Sequence, residues 1–247
     1  MRILCHRAFL LSLFILLSTT ARAQSVLEAI QTGKVESVRK ILRKSTARIN
    51  EQDERGITPL ILATLANDSA MVELLVSFRA DPNIRANEGM TALHAAAFHD
   101  RSSCSPVLIA GGADPNALDK SGRSPLHVAA RQGSTNVVTH LCEARAFIDL
   151  PDRDGNTPLM LACGNRQLGT LEELLDKGAN ANSRDYRGRT PLMLLSVIGE
   201  DEMLRILLRY KPDLNLVDHT GLSALTYAQI NRRNTIIRIL KSAGAKL

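Results

Sequence analysis

Gly155-Asn156-Thr157-Pro158-Leu159-Met160-Leu161-Ala162 is the stretch that decides how this 247-residue chain is read, because its pattern returns at a fixed interval. Thr58-Pro59-Leu60, Thr91-Ala92-Leu93, Ser124-Pro125-Leu126, Thr157-Pro158-Leu159, Thr190-Pro191-Leu192 and Ser223-Ala224-Leu225 stand 33 residues apart at every step. A glycine lies two residues before each of them: Gly56, Gly89, Gly122, Gly155, Gly188 and Gly221. A constant period of roughly 20 to 50 residues marks a chain of stacked units, each too thin to bury its own apolar face.

Within one period the residues follow a single physical script. Asp53, Asp119, Asp152, Asp185 and Asp218 stand five residues before the Thr or Ser, and Ala86 alone breaks that column. An Asp and a Gly so placed predict a tight turn, the Asp bonding backbone amides and the Gly taking a positive φ. Thr or Ser then caps a first helix, with Pro in its first turn where no amide partner is needed. Small apolar residues follow at helical spacing, as in Leu126, Ala129 and Ala130. A second helix carries longer side chains: Val72, Leu75 and Val76; Val138 and Leu141; Leu171, Leu174 and Leu175; Leu204, Leu207 and Leu208. It ends in loops such as Gly112-Ala113-Asp114-Pro115-Asn116 and Gly178-Ala179-Asn180-Ala181-Asn182. Glycine fits there because many helices stop on a left-handed residue. Arg79, Arg145 and Lys211 hold that position in three units, at an expected cost of about 1 kcal/mol each.

The ends of the chain read differently. Residues 1–23 carry Arg2, His6 and Arg7, then an apolar run over 8–17, then Ala21-Arg22-Ala23. That order predicts a secretory leader cut between Ala23 and Gln24, its apolar run too short to span a bilayer. Loss of the three leader arginines lowers the formal charge from +6 to +3, which gives no case for nucleic acid as a partner. Residues 24–52 read as a degenerate first unit, with one extra residue in the loop before Asn50 and polar Glu28, Gln31, Lys34 and Lys40 suited to a terminal layer. The last unit has a wetter outer side, with Asn231, Arg232, Arg233, Arg238 and Lys241. Aromatic residues make up only 3% and Trp is absent, which suits thin, closely packed layers. Beyond the leader remain Cys104, Cys142 and Cys163, in no zinc or redox spacing. Cys142 and Cys163 fall at small apolar positions, where either buried thiols or a disulfide between adjacent units would fit, with Cys104 free.

With period, turn, cap and loop residues all in agreement, the chain resembles the ankyrin-repeat family over residues 24–247. The resemblance implies an all-α solenoid of helix-turn-helix layers joined by β-hairpin fingers, with an N-terminal cap and about six repeats. The units run over 24–52 (N-terminal capping repeat), 53–85, 86–118, 119–151, 152–184, 185–217 and 218–247 (C-terminal capping repeat). The same resemblance makes His94 and His127 structural groups that bond the capping hydroxyl and the neighbouring loop.

Enzyme signals are poor. Neither G-x-S-x-G, H-E-x-x-H nor a phosphate-binding loop occurs, and Asp152 with Asp154 is explained by turn chemistry. No catalytic, cofactor or metal site is expected. The rival of another class is a metal protein or enzyme using His94 and His127, with His99 and Cys104. Asn67-Asp68-Ser69 fits the glycosylation sequon, of consequence in a eukaryotic host.

Family resemblance places binding on the finger tips and the exposed ends of the first helices, which line a concave face. In this register the candidate protein-binding residues are Met90, Phe98, His99, Lys120, Arg123, Arg131, Arg153, Tyr186, Arg187 and Arg189. Arg, Tyr, Met and Phe are enriched at interfaces. The expected function is that of an exported, periplasmic or secreted protein-binding module, a monomer without a membrane span once the leader is cut. Its partner would be another protein with an acidic surface, and its role the assistance or stabilisation of a periplasmic enzyme. An immunity-like inhibitor of a toxin or effector hydrolase is the alternative.

Overall fold

The computed structural model describes residues 26–246, so the expected leader lies outside the described residues. Fourteen helices follow one another in seven pairs among the described residues. They are α1 (Val26–Gln31) with α2 (Val35–Lys44), α3 (Pro59–Leu65) with α4 (Ser69–Ser77), and α5 (Ala92–Phe98) with α6 (Ser105–Ala110). Next come α7 (Pro125–Gln132) with α8 (Thr135–Glu143), α9 (Pro158–Gly164) with α10 (Leu168–Asp176), and α11 (Pro191–Ile198) with α12 (Asp201–Arg209). The last pair is α13 (Ala224–Ile230) with α14 (Asn234–Ser242). First helices stack on first helices and second on second, and the two layers share one core.

The starts are capped as the Thr/Ser column demands. Hydroxyls of Thr58, Thr157, Thr190 and Ser223 accept the N–H of Ile61, Met160, Met193 and Thr226 at 3.2–3.4 Å. Helices of six to ten residues are marginal alone. Stacking therefore supplies their stability. The column Leu60, Leu93, Leu126, Leu159, Leu192 and Leu225 is at most 1% exposed, and Leu75, Leu108, Leu141, Leu174, Leu207 and Leu240 are wholly buried. In the longer first unit the equivalents of Leu60, Ala63 and Val72 are Val26, Ala29 and Val38, all 0% exposed.

Polar ladders tie the loops together. Asn50, Asn83, Asn116, Asp149, Asn182 and Asn215 each accept, through Oδ1, one backbone N–H from the loop of the following unit, at 2.7–3.0 Å. The fingers are tight Asp–Gly turns: Asp152 Oδ1 accepts the N–H of Asp154 and Asn156, and Gly155 N–H donates to Asp152 O. At Ala86 the turn closes on backbone bonds alone, Ala86 to Met90 and Gly89 to Ala86. The expected β-hairpins are reduced to these turns. The described residues hold a single antiparallel bridge, Val217 to Ser223, because each finger is too short for a strand ladder and spends its remaining N–H groups on its neighbour.

Arg79, Arg145 and Lys211 are left-handed, with φ of +65°, +60° and +52°. A second left-handed column lies between the two helices of a unit: Asn67, Asp100, Arg166 and Arg232, at +52° to +59°, alternate with Gly133 and Gly199. All three described cysteines are free thiols, so Cys142 and Cys163 are unbonded. Burial pushes the half-buried Cys142 up to about 11 and the fully buried Cys163 higher still.

Candidate functional site

The fingers are built sideways as well as along the chain. The N–H of Asn87, Lys120, Arg153 and His219 donate to the carbonyls of Arg55, Glu88, Ser121 and Arg187 in the preceding finger, at 3.0–3.3 Å. That edge-to-edge docking sets Lys120, Arg153, Tyr186 and His219 side by side as one exposed column. Arg187 is exposed one position further on, and Tyr186 is 66% exposed.

Two of the expected cations are turned inward. The Arg123 guanidinium donates through Nε and Nη2 to Asp119 Oδ2 at 3.0 and 2.9 Å, and Arg189 meets Asp185 Oδ2 at 2.8 and 2.7 Å. Burial alone would raise the Asp119 carboxyl. The N–H groups of Arg123 and Ser121 with the Arg123 guanidinium outweigh it, and the net shift is downward. Arg123 and Arg189 therefore brace their own turns, with their charge already matched. Met90, at the exit of the second finger, is half-buried.

Phe98, His99 and Arg131 occupy a different band. They lie at the C-terminal ends of α5 and α7, about 10 Å from the fingers along a seven-residue helix. Phe98 is 45% exposed, and its ring meets the His99 ring edge-on at 4.9 Å. The ten expected residues are thus distributed over a finger band and a helix-end band.

His94 and His127 are fully buried bolts between units. Thr91 N–H and Ser124 N–H donate to the respective Nδ1 atoms at 3.2 and 3.1 Å, which assigns the proton to Nε2. Nε2 then donates to Arg123 O and Asn156 O of the following finger at 3.0 and 3.2 Å. Burial lowers both pKa values and keeps the rings neutral. Both ring nitrogens of each are engaged within the fold. No group of three His, Cys, Asp or Glu residues able to hold a metal occurs among the described residues.

Arg85 and Leu118 join the site from outside the sequence-based expectation. Together with Asp119, Gly122, Pro151, Asp152, Arg153 and Tyr186 they line a shallow depression across the fingers. Both stand in the column just before the finger Asp: Gln52, Arg85, Leu118, Pro151, Arg184 and Val217. Leu118, Pro151 and Val217 make half of that finger column apolar, which was the available signal. No helix among the described residues is long and apolar enough to cross a membrane.

Comparison with known proteins agrees with this geometry. A family model described as "Ankyrin repeats (3 copies)" matches residues 26–119, 101–185 and 169–247. The human DNA-binding protein RFXANK is 35% identical over 72 residues, 29% of this chain and 28% of that relative. The chain therefore spans little more than a quarter of that protein's length. Stacked helix pairs, Asp–Gly fingers, capping hydroxyls and a family match running from residue 26 to residue 247 converge on one conclusion: the chain belongs to the ankyrin-repeat family.

Proposed function

We propose that this chain is an exported module that grips another protein with its finger tips and first-helix ends, and so assists or stabilises a periplasmic enzyme. Ankyrin repeats generally mediate protein–protein interaction, and no catalytic group, metal or cofactor enters the reading. The observation that carries it is the finger band. Lys120, Arg153, Tyr186 and Arg187 stand exposed across consecutive units, and among the described residues none of their charges is taken up in an ion pair. Such rim cations accelerate encounter with an acidic surface more than they deepen affinity.

The human relative's description as DNA-binding is not carried over. Exposed Glu54, Glu88 and Asp154 are interspersed among the finger cations, which disfavours a phosphate backbone as the partner. The module acts as a monomer and begins at Gln24, which N-terminal sequencing of the exported chain checks.

The test is capture from an envelope fraction with residues 24–247 as bait, beside the Arg153→Glu/Arg187→Glu double variant. A protein retained saturably by the first and released by the second supports the reading. No retained protein, or metal bound in stoichiometric amount, overturns it. If the captured protein is a hydrolase silenced one-to-one, the module is an immunity-like inhibitor instead.

A further inference from the structure

We infer that the depression across the fingers anchors an acidic side chain next to an apolar one, in an extended segment of the partner protein. The inference rests on the protein-binding reading above and names the chemistry of the segment bound. Leu118 and Pro151, both exposed, supply the apolar lining of the depression, and Arg85, Arg153 and Tyr186 stand around them. Among the described residues neither guanidinium forms an ion pair, and the Tyr186 hydroxyl has no hydrogen-bond partner.

Asp119 and Asp152 also reach the depression, but they are only 8% and 7% exposed. Asp119 takes the Arg123 guanidinium and two backbone N–H groups, whereas Asp152 takes the N–H of Asp154 and Asn156 on Oδ1 alone and meets no cation among the described residues. With Asp119 matched by Arg123, the exposed Arg85 and Arg153 guanidiniums outweigh the one buried Asp152 carboxylate, and the balance is positive.

Tyr186 and Arg153 are packed at their base before anything binds. The Tyr186 ring lies against Gly155 so closely that a Cβ there would stand 2.8 Å from its Cγ and Cδ1. The Arg153 stem lies against Gly122, where a Cβ would be 2.9 Å from its Cγ. Side chains pinned at their base lose less freedom on binding. A guanidinium fork fits a carboxylate in both geometry and charge, and the exposed Leu118 and Pro151 reward an adjacent aliphatic or aromatic group. Arg and Tyr around an apolar centre is also the composition of interface hot spots.

A phage-displayed random-peptide library panned on immobilised residues 24–247, followed by fluorescence anisotropy with the enriched peptides, tests this. The expected peptides carry Asp or Glu beside an apolar residue. Amide replacement of that acid, or Arg85→Ala/Arg153→Ala in the protein, should weaken binding about tenfold or more. An Arg205→Ala/Arg238→Ala control on α12 and α14 should stay within about twofold, and circular dichroism should show every variant folded. Enriched peptides that lack an acid, or that bind the Arg85→Ala/Arg153→Ala variant unchanged, overturn the inference. Binding lost only in a Phe98→Ala/Arg131→Ala variant at the first-helix ends also overturns it while leaving the concave-face reading intact. No enrichment at all overturns the inference as well, and the envelope capture then decides the broader reading on its own.

Discussion

At Gly155 the backbone is left-handed, with φ of +81°, and a Cβ would stand 2.5 Å from the Tyr186 nitrogen. Conformation and the next unit's backbone both exclude a side chain there. Gly112 and Gly178 share the left-handed backbone, but a Cβ on either meets nothing within 4 Å. Arg79, Arg145 and Lys211 can therefore replace glycine in that column at the conformational cost alone. Arg79→Gly should stabilise the fold by about 1 kcal/mol, raising Tm by roughly 2–4 °C for a chain of this size. Gly155→Ala should lower Tm by a larger amount. Thermal unfolding followed by circular dichroism checks both, and a fall for Arg79→Gly would contradict the strain argument.

The buried histidines give the residue scale a pH dependence. His94 and His127 have pKa values lowered by burial from 6.5, so below that pH the unfolded chain binds protons that the folded chain refuses. Stability must then fall as the pH drops below 6.5. Asp119 and Asp218 add a second loss at lower pH, since both carboxyls are held below their ordinary value in the fold and must be protonated on unfolding in acid. The double variant His94→Gln/His127→Gln should be less stable at neutral pH and show a flatter unfolding midpoint between about pH 5 and 7 in urea titrations. A slope equal to that of the parent would mean the rings titrate normally in the fold.

At the scale of elements, α7 illustrates how a unit is held. Leu126 fills the stack between α5 and α9, while Asn116 at the foot of the loop before it holds the Phe147 N–H at 2.7 Å. Leu126→Ala should cost about 2–5 kcal/mol through transfer and cavity terms, and Asn116→Ala about 1–2 kcal/mol through one orphaned amide. Each unit touches only its neighbours. Hydrogen exchange in Leu126→Ala should therefore quicken most in α5 to α10 and least in α1 and α14. Uniform acceleration would show one cooperative block in place of a linear array.

At the scale of the whole molecule, charge is sorted by whether the fold has already spent it. Arg153 and Arg187 face solvent, whereas Arg123 and Arg189 are committed to Asp119 and Asp185. Arg153→Glu/Arg187→Glu should slow partner association about tenfold or more at low salt, with Tm nearly unchanged. Arg123→Glu should lower Tm by itself, because it sets a carboxylate against the buried Asp119. Surface plasmon resonance with the captured partner and thermal unfolding separate the two effects. Unchanged association in the first variant would remove the finger cations from the interface.

The repeat length, the caps, the turn aspartates and the left-handed Arg79, Arg145 and Lys211 were legible in the chain because each is a local requirement, met within about five residues of backbone. What the chain alone left open depends on which neighbour a side chain finds. Arg123 and Arg187 read alike as exposed finger arginines, and only the fold turns one on to Asp119 and leaves the other in solvent. The asparagine ladder and the Arg85–Leu118 depression likewise join residues about thirty positions apart or more. Spacing announces that such layers stack, but direction and contact across the stack are properties of the packed solenoid, and those decide which surface is free to bind.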